Sequence, residues 1–208
     1  MHIEVWSDVV CPWCYIGKRR LEEALRAFPG EVTVTHRAFQ LDPDAQTNGE
    51  RTVDHLAAKY GVSAEQAAQM MSDVSAVANT VGLDYHLDRT LSGNTRDAHR
   101  LILWAQDQGK GPELLEALYA AYFTRGEAIF TVDDLRPIAV GVGLDADTAR
   151  AMLASDAFVD AVREDQAMAA SFGANGVPFF VIDRRYGISG AQPLAVFEQT
   201  LAQAAQPA

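Results

Sequence analysis

Two cysteines separated by two residues are the feature of this sequence best suited to chemistry. They are the only cysteines among 208 residues, and they enclose a proline and a tryptophan in the run Cys11-Pro12-Trp13-Cys14. Two thiols at this spacing either exchange electrons as a dithiol–disulfide pair or supply half of a metal site. The choice between these uses depends on the elements that carry the cysteines and on the other ligands that the chain offers.

The residues on either side of the cysteines predict a strand and a helix. Residues 2–7 alternate as a short, mostly buried strand would. After Pro12, which suits the first position of a helix, apolar residues recur at helical spacing until Pro29-Gly30 ends the segment. These apolar residues are Ile16, Leu21, Leu25 and Phe28. The cysteines are therefore expected at the start of a helix.

A helix start gives the two thiols different roles. The first backbone N–H groups of a helix lack partners, and their partial positive charge stabilises a thiolate. We predict that Cys11 is the nucleophile and that Cys14, further into the helix and more buried, resolves the mixed disulfide. Pro12 holds the turn, and Trp13 either packs over Cys14 or presents an apolar surface, so both are candidate substrate-binding residues.

Two other uses of the cysteine pair have less support. Zinc requires four ligands, and the five histidines include no pair spaced by three to five residues. A purely structural pair is uncommon in a reducing compartment, and it would close only a very short loop. We expect no metal, and no cofactor other than the redox-active Cys11–Cys14 pair itself.

Further strands are predicted towards both ends of the chain. Alternation over residues 32–39 predicts a second strand, which the helix would join to the first as a parallel pair with a right-handed crossover. The apolar run 177–182 and the segment 186–189 predict two more strands, followed by a last helix.

The middle of the chain predicts helices alone, separated by glycines. The predicted helices are 52–60, 63–81, 94–108, 111–125, 131–141, 145–153 and 156–173. Without the inserted helices, the order of elements is that of thioredoxin. We therefore predict the α/β class, with a thioredoxin fold from residues 1–45 and 156–208 and a large all-helical insertion at 46–155.

A proline just before the third predicted strand is the second chemical signal. Pro178 cannot donate to a strand ladder, so it marks the first residue of the strand. In the thioredoxin architecture this position faces the cysteine turn, with the preceding peptide bond in cis. The backbone of Val177 could then hydrogen-bond a substrate segment as an added strand. Val177 and Pro178 are candidate substrate-binding residues.

Asp8 and His99 are weaker candidates for proton transfer. Thioredoxin has a buried acid six residues before its first cysteine, where this chain has Val5, so proton transfer needs another group or water. Asp8 precedes Cys11 by three residues, although a solvated turn residue is the commoner interpretation. His99 falls on a predicted helix of the insertion, where a packed or capping role is simpler than a place over the active-site cleft.

Charge and hydropathy exclude several classes of protein. The formal net charge is −11, and the basic residues form no stripe, which argues against binding to nucleic acid or to an anionic membrane. The first residues lack the basic start and apolar run of a signal peptide, and no apolar run approaches the ~20 residues of a membrane span. We therefore expect a cytoplasmic protein.

Several motifs together resemble a known family. They are residues 7–18 around the cysteines, 37–41, Asn94-Thr95 with Ala98-His99-Arg100, 176–180 and 189–193. Over residues 3 to 200, the chain resembles the FrnE-like branch of the DsbA family. The resemblance implies a thioredoxin domain with a helical insertion. It also implies dithiol oxidase or disulfide isomerase activity on thiol- or disulfide-containing proteins or small molecules, with glutathione as a candidate co-substrate. Some members are associated with polyketide biosynthesis.

Relatives of that family use the same fold for other reactions. Kappa-class glutathione transferases and 2-hydroxychromene-2-carboxylate isomerases have serine in place of Cys11, and they tend to have an acid before the last helix, where this chain has Gln192. Both differences argue against a glutathione-dependent isomerase or transferase. That function stays an alternative, beside a non-catalytic partner-binding module and a zinc-binding protein. Oxidase, reductase and isomerase directions, and the oligomeric state, stay open.

Overall fold

A four-stranded mixed sheet forms the centre of the molecule. The computed structural model describes residues 1–206. The strands are β1 (His2–Ser7), β2 (Thr33–Ala38), β3 (Phe179–Ile182) and β4 (Tyr186–Ser189). Their order across the sheet is β2-β1-β3-β4, in which β1 is parallel to β2 and antiparallel to β3, and β3 is antiparallel to β4.

Helices connect these strands in the predicted order. In the described chain they are α1 (Pro12–Ala27), α2 (Thr52–Tyr60), α3 (Ala64–Asn79), α4 (Arg96–Asp107), α5 (Gly111–Tyr119), α6 (Val132–Gly141), α7 (Ala146–Ala154), α8 (Val159–Ser171) and α9 (Leu194–Ala204). A 3₁₀ turn occupies Leu87–Arg89, and a π-helical turn occupies Ala120–Thr124. The predicted thioredoxin fold with a helical insertion is confirmed. The helix predicted at 111–125 is present, and its last part is the π-helical turn Ala120–Thr124 rather than α-helix.

Each face of the sheet is covered by helices. On one face, Ile3, Val5 and Phe180 pack with apolar residues of α1 and α9, including Phe197. On the other face, Trp6 packs against Ala169 of α8, and its indole N–H donates to the Asp165 carbonyl at 2.7 Å. Burying a large apolar side chain contributes about 1.5–3 kcal/mol, so both faces hold the strands firmly in register.

The largest apolar core joins the cysteine turn to the inserted helices. Cys11, Cys14 and Tyr15 belong to the same buried cluster as Leu101 of α4 and Leu115 of α5. The helical insertion therefore packs directly on the turn between β1 and α1. The predicted boundaries at residues 45/46 and 155/156 stay a prediction.

The register of the sheet brings the proline segment to the cysteines. Trp6 near the end of β1 lies opposite Phe179, the first residue of β3. The residues that leave β1 towards Cys11 therefore run beside the residues that enter β3. Two segments distant in the sequence meet at one edge of the sheet as a result.

Candidate active site

The two cysteines lie at the N-terminal end of α1, as predicted. Cys11 is the N-cap residue with an extended backbone, and Pro12 begins the helix. The Cys14 N–H donates to the Cys11 carbonyl at 3.0 Å, which closes the first turn. Both residues are free thiols, with relative exposures of 4% for Cys11 and 2% for Cys14.

The segment before β3 brings a backbone carbonyl to the first sulfur. The Val177–Pro178 peptide bond is cis, as predicted. Cys11 Sγ lies 3.6 Å from the Val177 carbonyl oxygen and donates to it. The Pro178 carbonyl accepts from the Gly190 N–H at 2.8 Å, which ties the segment to the end of β4. The structure thus brings together Cys11, Val177 and Pro178.

A glycine in α1 permits this approach, and sequence reasoning missed it. A Cβ atom built on Gly17 would lie 2.9 Å from Pro178 Cγ and 3.1 Å from Phe180 Cζ. Alanine at this position would therefore displace the proline segment. Glycine within a helix is less favourable than alanine by about 0.8–1.0 kcal/mol, and that unfavourable choice is the signal that could have identified it.

Asp8 and His99 form a buried pair beside the cysteine turn. Their relative exposures are 1% and 2%, and His99 Nε2 lies 3.2 Å from one carboxylate oxygen of Asp8. The other carboxylate oxygen accepts from the Leu41 N–H at 2.8 Å. The interpretation of Asp8 as a solvated turn residue is wrong, because α4 and the segment after β2 cover the turn. His99 is packed, as expected, and its ring meets Asp8.

The thiol of Cys14 is held in its protonated form by its surroundings. Burial raises the pKa of Cys14 well above its ordinary value, and the hydrogen bond and charge of Cys11 raise it further. A backbone hydrogen bond at Asp8 acts in the opposite direction, whereas the charge of the Asp8 carboxylate again raises the pKa. Cys14 therefore needs a proton acceptor before it can react as a thiolate.

Stacked aromatic rings surround the cysteine turn, and the sequence patterns did not identify them as site residues. Tyr15 stacks on Tyr119 at 4.7 Å, and Tyr85 stacks on Phe123 at 4.7 Å. The Tyr85 hydroxyl donates to the Pro12 carbonyl at 2.8 Å and so holds the cysteine turn in place. Burial raises the pKa of Tyr85, as it does that of Tyr119, so both phenols stay neutral. These tyrosines lie in separate segments of the sequence that share no motif, and only the fold brings them together.

A cavity of about 590 Å³ opens beside Cys11. It is lined by the start of α1, the segment after β2, and parts of α2 and α3, as well as by Val177. Pro12 and Trp13 are among the lining residues, and Trp13 is 42% exposed. Of the two interpretations of Trp13, the structure supports an apolar surface towards the cavity.

In residues 1–206, no three His, Cys, Asp or Glu side chains group as metal ligands would. No helix in that part of the chain has the length and apolar character needed to cross a membrane. The cytoplasmic location stays a prediction.

Comparison with known proteins identifies similar chains. The family model of the DSBA-like thioredoxin domain matches residues 2–202. A probable DsbA oxidoreductase from Streptomyces coelicolor is 46% identical, with a TM-score of 0.94 over 100% of this chain and 92% of that one. The uncharacterized protein YwbO of Bacillus subtilis is 26% identical over 97% of this chain and 96% of its own length. The cytosolic disulfide reductase DsbM from Pseudomonas aeruginosa, solved with GSH, is 18% identical and has a TM-score of 0.69 over 98% of both chains.

Proposed function

We propose that this chain, which belongs to the DSBA-like thioredoxin domain family, catalyses thiol–disulfide exchange through Cys11 and Cys14 as a dithiol oxidase or disulfide isomerase. The observation that carries the proposal is the meeting of two free thiols at a helix start with the Val177 carbonyl, 3.6 Å from Cys11 Sγ. The N-terminal end of a helix carries a partial positive charge from N–H groups without intrahelical partners, which suits a sulfur nucleophile.

The exchange begins at Cys11. In the oxidising direction, a substrate thiolate attacks the Cys11 sulfur of the Cys11–Cys14 disulfide, so that a mixed disulfide forms and Cys14 leaves with the electron pair. A second substrate thiolate then attacks the substrate sulfur of the mixed disulfide and releases the Cys11 thiolate. The substrate gains a disulfide and loses two electrons, which the enzyme keeps as its two thiols. An isomerase starts from reduced Cys11 and returns to it.

Proton transfer at Cys14 is assigned to the buried Asp8–His99 pair. Leaving Cys14 must gain a proton and attacking Cys14 must lose one, because burial raises the pKa of this thiol well above its ordinary value. Asp8 acts electrostatically on Cys14 and is hydrogen-bonded to His99 at 3.2 Å. The pair thus takes the place of the buried acid that this chain lacks at Val5.

We assign substrate alignment to Val177 and Pro178, and apolar contacts with the substrate to Pro12 and Trp13. In the proposed complex, the Val177 backbone pairs with the substrate next to its reacting sulfur, in the manner of an added strand. Pro12 and Trp13 line the cavity beside Cys11 and offer apolar contacts. No cofactor beyond the cysteine pair is needed for this reaction.

Glutathione is proposed only as a reductant of the Cys11–Cys14 disulfide. Support for this comes from the disulfide reductase of Pseudomonas aeruginosa, which was solved with GSH. A dedicated glutathione transferase has less support. The Gln192 side chain occupies the loop before α9 and donates to the Ser189 carbonyl at 2.8 Å, so its amide stabilises that turn.

The reduction potential of the cysteine pair tests the proposal. The protein is equilibrated in glutathione buffers of graded ratio, and free thiols are counted by mass after alkylation. A potential near or above about −200 mV supports an oxidase or isomerase, whereas a value near about −270 mV would assign a thioredoxin-like reductase. If no intramolecular disulfide forms at any ratio, the dithiol mechanism is wrong.

A further inference from the structure

Large apolar side chains on the protein surface are concentrated at one opening. Among the described residues, five large apolar side chains are exposed, and four of them line the cavity beside Cys11. These four are Trp13, Leu41, Tyr60 and Met70, and the fifth is Val140 on α6. Single exposed apolar residues are ordinary on a protein surface, but a contiguous group of them marks a binding site.

The interior of the cavity continues this apolar character. Met71, Val74, Leu87 and Phe123 form part of its wall and are buried. Tyr122 also lines the cavity, but its hydroxyl already donates to the Leu91 carbonyl at 2.8 Å. The volume of about 590 Å³ lies within the range of ~300–1,000 Å³ that is typical of small-molecule pockets.

The charges around the cavity do not suit an anionic ligand, because Asp42 and Asp73 also line it. Lys59 is the one lysine or arginine among the described residues that line it. The His55 ring lies 3.2 Å from Glu50 and 4.0 Å from Asp42, so acidic groups already surround it. A ligand with two carboxylates would lose hydration on entry and gain few compensating partners.

The end of the cavity next to the cysteine turn contains the nucleophile. Cys11 and Val177 line the same space as the apolar wall. We propose that the cavity binds an uncharged, low-molecular-weight disulfide whose apolar substituent fills the space while one sulfur meets Cys11. This substrate class rests on the proposed exchange function.

The reaction of such a disulfide with the reduced enzyme balances without another reactant. The Cys11 thiolate attacks one sulfur of R–S–S–R, the S–S bond breaks, and the leaving RS⁻ takes up a proton as RSH. Cys14 then gives its proton to the assigned acceptor and attacks the Cys11 sulfur, which releases the second RSH. The ligand gains two electrons, and the enzyme becomes the Cys11–Cys14 disulfide.

Two isosteric disulfides test the inference. Dipropyl disulfide and bis(2-hydroxyethyl) disulfide differ only in a terminal methyl in place of a terminal hydroxyl on each arm. Each is mixed with reduced Cys14→Ser protein, and formation of the Cys11 adduct is followed by intact-mass spectrometry. The rate of adduct formation is then divided by the rate at which the same disulfide reacts with free cysteine. After this correction, burial of the two methyl groups should make dipropyl disulfide react at least about tenfold faster.

Substitutions at the opening of the cavity test whether the preference for dipropyl disulfide arises there. In the Cys14→Ser background, the rim variant combines Tyr60→Ser with Met70→Ser and so removes two exposed apolar side chains from this opening. We expect its preference for dipropyl disulfide to fall to about threefold or less. Val140→Ser is the matched control, because it removes an exposed apolar side chain of α6 away from the cavity. This control should keep the full preference.

The outcomes separate this inference from the exchange function. Equal corrected rates for the two disulfides, or an unchanged preference in the rim variant, would overturn the apolar-substrate inference and leave the exchange function standing. If Cys11 reacts with neither disulfide nor with a disulfide-containing unfolded polypeptide, the exchange function itself is wrong. If the rim variant slows only the polypeptide, the cavity binds a protein segment and the small-molecule inference is wrong.

Discussion

Cys14 is buried in surroundings that disfavour its thiolate, whereas Cys11 borders the open cavity. Burial, then the hydrogen bond and charge of Cys11, raise the pKa of Cys14. Cys11 stands at the N-cap of α1 and lines the cavity beside Trp13. A substrate can therefore meet Cys11 first, and Cys14 can act only on a sulfur already attached there.

Replacement of either cysteine by serine should separate these two roles. Cys11→Ser is expected to abolish turnover, because no other thiol reaches the cavity. Cys14→Ser is expected to accumulate a mixed disulfide at Cys11, since no second thiol releases the substrate. Intact-mass spectrometry of the two variants after incubation with a disulfide substrate measures both effects. Full activity of Cys11→Ser would contradict the mechanism, and absence of an adduct in Cys14→Ser would contradict the resolving role.

Asp8→Asn tests proton transfer at Cys14. The Asp8 charge raises the pKa of Cys14, so a purely electrostatic effect of the substitution would lower that pKa and speed resolution at neutral pH. Loss of a proton acceptor would instead slow resolution by at least about tenfold at neutral pH, with recovery at alkaline pH. The two mechanisms therefore predict opposite changes.

The pH profile of mixed-disulfide resolution by stopped flow distinguishes these two cases. Asp42→Asn is the matched control, because Asp42 also lines the cavity and, unlike Asp8, is not buried. The control should keep the wild-type profile. Resolution by Asp8→Asn at the wild-type rate or faster would remove Asp8 as proton acceptor.

At the scale of elements, the contact between α1 and the proline segment aligns the site. Gly17→Ala would place a Cβ atom 2.9 Å from Pro178 Cγ, so α1 and the segment before β3 must separate. We expect this overpacking to lower the free energy of unfolding by about 1–3 kcal/mol and to reduce the exchange rate, because Val177 moves away from Cys11.

Gly141→Ala provides the control for that substitution. Gly141 ends α6, and a Cβ atom built on it meets no atom of the described residues within 4 Å. The substitution should therefore leave stability unchanged or raise it by up to about 1 kcal/mol, with no effect on exchange. Urea unfolding and exchange rates of both variants test the contrast. Equal stability changes in the two variants would show that the contact between α1 and Pro178 does not limit the size of the side chain at position 17.

Local patterns predicted the elements well but not every contact between them. The order of strands and helices follows from apolar periodicity and from the glycines and prolines that end each segment, and the cysteine turn follows from Pro12. The π-helical turn Ala120–Thr124 leaves no such periodic signal, since it changes the register by a single residue. The burial of Asp8 was also missed, because it depends on α4 and on Leu41, which lie far away in the sequence.

At the scale of the whole molecule, His36 couples folding to pH. This residue of β2 is buried, and its Nδ1 has no hydrogen-bond partner within residues 1–206. Burial lowers the pKa of His36 from 6.5 to about 4; the charge of Lys18 also lowers it, and that of Glu22 raises it. Between these two pH values, the unfolded chain binds a proton at His36 that the folded protein does not. The free energy of unfolding must therefore fall as pH falls from 6.5 towards about 4, and the contribution levels off below that.

His36→Leu should remove this part of the pH dependence. A shift of this size corresponds to about 3 kcal/mol at most, so urea midpoints of the wild type should fall more steeply than those of the variant between pH 6.5 and 4. At neutral pH the variant should lose little stability, because leucine fills a similar volume and has no unpartnered buried nitrogen. His86→Leu, which removes a histidine with a side chain 37% exposed, should keep the wild-type slope. Parallel slopes for His36→Leu and the wild type would show that His36 titrates alike in the folded and unfolded chains, and the acid sensitivity would then belong to the buried carboxylates.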